Sequence, residues 1–118
     1  MSIEVDLIAK LKSNTTLTGL VATRIYPLTA PQNVVIPYIT YQIINGRDMQ
    51  CISGNTYQEE VRVQIDCWSL NYGQVISIKD AVKASISLWK SSSDINVMDG
   101  FENDTKLFRK MIDFKIKD

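Results

Sequence analysis

Residues 59–70, Glu59-Glu60-Val61-Arg62-Val63-Gln64-Ile65-Asp66-Cys67-Trp68-Ser69-Leu70, constrain the fold more than any other stretch of the chain. Val61, Val63, Ile65 and Cys67 alternate with Arg62, Gln64 and Asp66. Successive strand side chains point to opposite faces, so this period of two makes one apolar face and one wetted face. The β-branched residues favour a strand over a helix. A one-sided pattern belongs to an antiparallel sheet covered on one face only, and it predicts a central strand. Trp68 falls on the wetted side by the same parity. Either a bulge or the strand end rotates it into the core, or it anchors a partner surface, where aromatics are enriched. The row Arg62, Gln64, Asp66 carries the same ambiguity: it suits solvent, and it suits a wet subunit contact.

The remaining segments arrange themselves around that strand. Residues 4–12 place Val5, Leu7, Ile8 and Leu11 near helical spacing, with Glu4 and Asp6 first and Lys10 and Lys12 last. Acids early and bases late complement the helix dipole, so a short amphipathic helix is expected, capped by Ser2. Ser13-Asn14-Thr15-Thr16 should break it, with one further turn closing near Gly19. Residues 24–37 hold all three prolines, Pro27, Pro31 and Pro37, and read as an extended connector. A strand follows over residues 38–44, with the buried face undecided because Tyr41 and Ile43 oppose Tyr38 and Ile44. Asn45-Gly46 marks a bulge, and Ser53-Gly54-Asn55 the tip of a long hairpin spanning about residues 38–69. Its distal arm, residues 46–58, is polar and adds little to the core.

Asn71 can cap a helix over residues 72–90, in which Val75, Ile78, Val82, Ile86 and Trp89 share one face. Two strands complete the chain, at about residues 95–98 and 107–117. In the last, Phe108, Ile112, Phe114 and Ile116 share one face, and Arg109, Asp113, Lys115 and Lys117 the other. The expectation is an α+β fold: an antiparallel sheet of about four strands packed against two helices, in the order helix, two strands, helix, two strands, with a long β-hairpin arm.

Chemistry is sparse. A chain of 118 residues makes one domain with a single core. Thirteen basic and thirteen acidic residues give zero formal net charge, which disfavours a dedicated nucleic-acid binder and permits self-association. There is no histidine, which removes the usual general base, the Ser-His and Cys-His pairs and most zinc sites. Cys51 and Cys67 lie sixteen positions apart without partner ligands; Cys67 reads as a core residue and Cys51 as a loop residue. The five glycines are scattered singly, so no phosphate loop exists. Glu59 with Glu60, and Glu102 with Asp104, read as solvated acids, and no catalytic, cofactor or metal site is assigned. Arg109, Lys115 and Lys117 form a basic strip, read either as an exposed sheet face or as a contact for DNA phosphates. The acidic start, Met1-Ser2-Ile3-Glu4-Val5-Asp6, does not resemble a signal peptide, and no apolar run approaches a bilayer span, so a cytoplasmic product without membrane contact is expected.

The order Arg24-Ile25-Tyr26-Pro27, Ala30-Pro31-Gln32, Pro37-Tyr38-Ile39, Ser53-Gly54, Val63-Gln64-Ile65-Asp66-Cys67-Trp68-Ser69 and Tyr72 resembles the tail completion, or tail-to-head joining, proteins of tailed phages and prophages, which are similar to tail terminators. The resemblance runs from about residue 24 to 90. It implies an α+β subunit without catalytic residues that assembles as a homo-hexameric ring at the head-proximal end of the tail. Its implied partners are further copies of itself, the major tail tube protein and the head completion or connector protein, with DNA passing through. It also gives the polar arm a use, making Arg47, Asp48, Met49 and Tyr57 candidate contacts beside Arg62, Gln64, Asp66 and Trp68. The implied location is the virion tail, after assembly in the host cytoplasm. Two rivals use the same residues: a small regulatory or ligand-binding α+β module, and a hydrolase acting through Glu59 or Asp66.

Overall fold

The computed structural model describes residues 3–50, 57–87 and 89–117. The chain begins with α1 (Ile3–Lys12) and α2 (Thr15–Val21), continues through β1 (Ile25–Pro27), β2 (Tyr38–Gln50) and β3 (Tyr57–Ser69), crosses in α3 (Tyr72–Ile86), and ends in β4 (Ser93–Glu102) and β5 (Leu107–Lys117). The strands form one sheet in the order β1-β2-β3-β5-β4. The residue 59–70 segment is therefore central, as its alternation requires. Val61, Val63, Ile65 and Cys67 are all essentially inaccessible to solvent.

Antiparallel pairing sets Ile65 opposite Tyr41 and Ile112, and Val63 opposite Ile43 and Phe114. The apolar rows of β2, β3 and β5 thus coincide on one face. Ile3, Leu7 and Leu11 of α1, Leu17 and Val21 of α2, and Val75, Ile78, Val82 and Ile86 of α3 cover that face. Each fully buried aliphatic or aromatic side chain contributes roughly 1.5–3 kcal/mol before conformational entropy is set against it. The helices lie on one side only.

The α+β class holds, and the differences from the expected outline have local causes. Among the described residues the sheet has five strands rather than four, because Ile25–Pro27 pairs in parallel with Ile39–Tyr41. A proline-bearing segment can join a sheet at its edge, where a missing N–H is tolerated. The α-helices among the described residues number three. Ser13–Thr16 ends α1 but also begins α2: the Asn14 side chain accepts a hydrogen bond from the Leu17 amide at 3.1 Å. Gly19 sits inside α2 rather than closing a turn. α3 stops at Ile86, with Trp89 in a 3₁₀ turn beside it, still packed against the core. β4 runs well beyond residues 95–98.

The buried face of β2, undecided from the sequence, is Ile39 and Tyr41, continued by the partly buried Ile43, yet Tyr38 and Thr40 on the opposite face are also buried. The pairing of β2 with β3 shifts between Ile43 and Asn45, which is the bulge expected at Asn45-Gly46. Ser2, Cys51 and the Ser53-Gly54-Asn55 tip lie outside the described residues.

Both capping asparagines satisfy helix N-terminal amides, but they are not equivalent. The Asn71 side chain accepts from the Gln74 amide at 2.9 Å, as the sequence predicts. Asn14 also donates through Nδ2 to the Ala81 carbonyl at 3.1 Å and to Ser85 Oγ at 2.9 Å, tying α2 to α3. Asn71→Ala should therefore cost about 1 kcal/mol, the value of a cap, whereas Asn14→Ala should cost about 2 kcal/mol. Urea unfolding of the two variants measures that difference.

Candidate functional site

The face of the sheet opposite the helices presents the polar half of each alternating strand. Its centre is an aromatic and ionic stack at Trp68. Tyr38 lies directly across from Trp68 in the β2–β3 register, and Arg109 directly across in the β3–β5 register. The Tyr38 and Trp68 rings stack with centroids 5.9 Å apart and planes 18° apart. The Arg109 guanidinium sits 4.8 Å from the Trp68 ring centroid. Such aromatic and cation–π contacts each contribute roughly 0.5–1.5 kcal/mol beyond burial. Trp68 Nε1 donates to Thr40 Oγ1 at 3.0 Å, which explains how a hydroxyl is buried on this face. Trp68 is thus neither rotated into the helix-side core nor fully exposed: it stays on the polar face, half-covered by its strand neighbours.

Asp66 holds the next position. Its carboxylate accepts from Arg109 Nη2 at 2.8 Å and from Gln64 Nε2 at 3.0 Å. Further along, Arg62 grips Asp113 in a forked pair, with Nε 3.0 Å from Oδ1. Gln64, Asp66 and Trp68 are thus joined through Arg109, and the Arg62–Asp113 pair lies next to them on the same face; all four β3 residues were singled out from the sequence. A shallow groove of about 360 Å³ opens beside that row, between Asp66, Trp68 and Arg109 and the connector residues Leu28, Pro31 and Val34.

The basic strip is not a free cationic surface. Arg109 is bound to Asp66, Lys115 Nζ lies 3.4 Å from an Asp94 carboxylate oxygen, and Asp113 stands between them. Only the exposed Lys117 has no such ion pair among those described. Glu102 and Asp104 are exposed turn-side acids. Among the described residues no group of three or more histidine, cysteine or acidic side chains is placed to hold a metal ion. Among the described residues no helix is long and apolar enough to cross a membrane.

The arm extends this face. β5 ends opposite Glu60, so from Asp48↔Glu59 to Gln50↔Tyr57 the ladder is a two-stranded ribbon. Arg47 lies opposite Glu60, Met49 opposite Gln58, and Tyr57 opposite Gln50. Arg47, Asp48, Met49 and Tyr57 therefore cluster at the distal end, away from the Trp68 stack.

Sequence reasoning missed one group. Lys110 shares parity with Phe108, Ile112 and Phe114, so it faces the helices, opposite Cys67, and is buried. Its ammonium pairs with Asp99 and donates to the Tyr72 hydroxyl at 3.3 Å, while that hydroxyl donates to Asp99 at 2.9 Å. The signal was present: a lone base in an apolar row demands a partner. Tyr72 also meets Phe108 edge-on, and Phe108 meets Phe101. This cluster pins β4 and β5 to the start of α3.

A one-sided helix layer over a five-stranded sheet, with an open polar face and a projecting ribbon, defines an α+β protein. Comparison with known families makes the assignment: the chain matches the family described as "Tail completion protein gp17" over residues 5–117, and it belongs to that family. It is accordingly a structural protein of the phage tail class. Among solved structures, a chain from "Virion of native gene transfer agent (GTA) particle" is similar with a TM-score of 0.77 and 10% identity, covering 98% of this chain and 93% of that one. At that identity the likeness speaks to the fold. A comparison with curated proteins gives no match.

The Lys110 cluster makes stability depend on pH at both ends. The hydrogen bond from Lys110, then that from Tyr72, holds the Asp99 carboxyl below its ordinary 3.8. The same pair raises the Lys110 ammonium above its ordinary 10.5. A depressed acid adds stability that is present above 3.8 and lost as pH falls through its folded value; a raised base adds stability that is present below 10.5 and lost as pH rises through its folded value. Lys110→Met should therefore flatten both flanks of the melting temperature against pH, as read by circular dichroism.

Proposed function

We propose that this protein acts without catalysis, as a ring-forming cap at the head-proximal end of a phage tail that ends tail-tube polymerisation and joins the tail to the head. Membership of the tail completion family carries the reading. Three physical features support it. The molecule is elongated, with extents of 52 × 28 × 24 Å, as suits a subunit that must reach its neighbours. A head-to-tail interface closes into a ring and leaves two chemically different rims, one for the tube and one for the head connector. The open sheet face has its charges already paired, Asp66 with Arg109 and Arg62 with Asp113, which lowers the cost of burying it against another subunit.

On this reading Arg62, Gln64, Asp66 and Trp68 form a wet contact surface, and Arg47, Asp48, Met49 and Tyr57 carry contacts made by the arm to a neighbouring copy or to the tail tube protein. Any DNA moving past Arg109 and Lys115 meets bases already engaged by carboxylates, so passage is non-specific and weakly held. A ligand-binding module would need polar groups converging on the groove beside Trp68. Asp66 is instead already held by Arg109 and Gln64, and the buried Arg109 Nε is the one unpartnered buried side-chain nitrogen or oxygen among the described residues, too little to converge on a ligand.

Deletion of the gene in the parent phage, followed by electron microscopy of the lysate, tests the role. Headless tails of uncontrolled length are the expected outcome for a terminator that also joins. Headless tails of normal length would restrict the role to joining, and normal-length tails attached to heads would eliminate both.

A further inference from the structure

Two long runs of strand edge are open on opposite sides of the sheet. On one side, β1 covers β2 only at Ile39–Tyr41, so among the described residues the outward edge of β2 from Gln42 to Gln50 has no strand partner. On the other side, β4 pairs only with β5, and beyond its bulge it runs in unbroken register from Asn96 to Glu102. Each edge offers a run of backbone donors and acceptors, which proteins normally blunt with proline, lysine or very short strands. Neither run contains proline or lysine. Both carry uncovered apolar side chains: Ile44 on β2, and Met98 and Phe101 on opposite faces of β4, each close to half exposed or more.

The strand senses also fit. β2 and β5 run one way, and β3 and β4 the other. Gln42 is level with Asn96 across the sheet, so a second copy brought alongside without inversion, and displaced along the strands by about four residues (roughly 13 Å), sets Ile44 of its β2 opposite Met98 of the first copy's β4 in the antiparallel sense, the more stable pairing.

We infer that the free edge of β4 receives the β2 edge of the next copy of this chain, so that the sheets of neighbouring subunits join into one continuous ladder. This inference rests on the ring-cap reading and identifies the seam between subunits. Pairing β4 with β4 across a two-fold axis would use one edge twice and stop at a dimer, leaving the β2 run bare. Pairing β4 with β2 consumes both edges in every copy and closes only when the ring does. Backbone hydrogen bonds supply the attachment, and Ile44, Met98 and Phe101 supply the apolar contact that fixes register.

The test is cross-linking in assembled tails. Cys51→Ser removes one of the two native thiols, and the other, Cys67, is fully buried. In that background, tails are assembled with Ile44→Cys/Met98→Cys and treated with a short bis-maleimide, which tolerates a small register offset. A denaturing gel should show a ladder of covalent multimers that neither single variant gives. Dimers from Met98→Cys alone would overturn the inference in favour of two-fold pairing. Uncross-linked double variant in tails that are complete and head-joined would also overturn it, while leaving the cap role intact. Tails that form and join normally without the protein would instead remove the role itself. If the double variant does not enter tails, Met98→Lys in the native chain decides: an unchanged melting temperature with roughly tenfold weaker incorporation supports edge pairing, and unchanged incorporation refutes it.

Discussion

Every part of this fold answers to the single-sided burial of β3. Its apolar row, Val61, Val63, Ile65 and Cys67, must be covered, while Arg62, Gln64 and Asp66 must keep access to water or to each other. A slip of one residue would exchange the two faces, so the register of β2 and β5 against β3 is strongly fixed. The helices follow from that requirement. α3 returns over the sheet directly after β3, and α1 and α2 pack beside it, joined by the Asn14 contacts to Ala81 and Ser85.

With all helices on one side, the other face had to be made tolerable by polar pairing. The Tyr38–Trp68–Arg109 stack, the Asp66 carboxylate with its two donors, and the Arg62–Asp113 fork do this without a second layer. Exposed ion pairs such as Arg62–Asp113 contribute little to stability on their own, on the order of 0–1 kcal/mol. Their value lies in charge balance. A face most of whose charges already have partners can be covered by another protein surface while stranding few of them.

The helix side contains a contrasting device. Lys110 stands in an apolar row with Asp99 and Tyr72 closing over it. An aliphatic residue there would pack more simply. The cluster instead ties the edge strand β4 to the start of α3 through directional bonds, which restrains a strand that has a neighbour on one side only.

Sequence alone determined the elements whose evidence is local and periodic: the alternation of β3 and β5, the apolar face of α3, the Asn71 cap and the bulge near Asn45. Each is encoded by spacing within a short window, so no distant contact is needed to read it. Tertiary structure decided what depends on residues far apart in the chain. Ile25–Pro27 became a strand because β2 offered it an edge. Asn14 became a cap and a cross-link because α3 lay within reach. Trp68 kept to the polar face because Tyr38, Thr40 and Arg109 met it there, and Lys110 was buried because Asp99 arrived from the neighbouring strand. In each case the local pattern left two conformations or two faces of similar free energy, and a partner supplied by the fold made the difference.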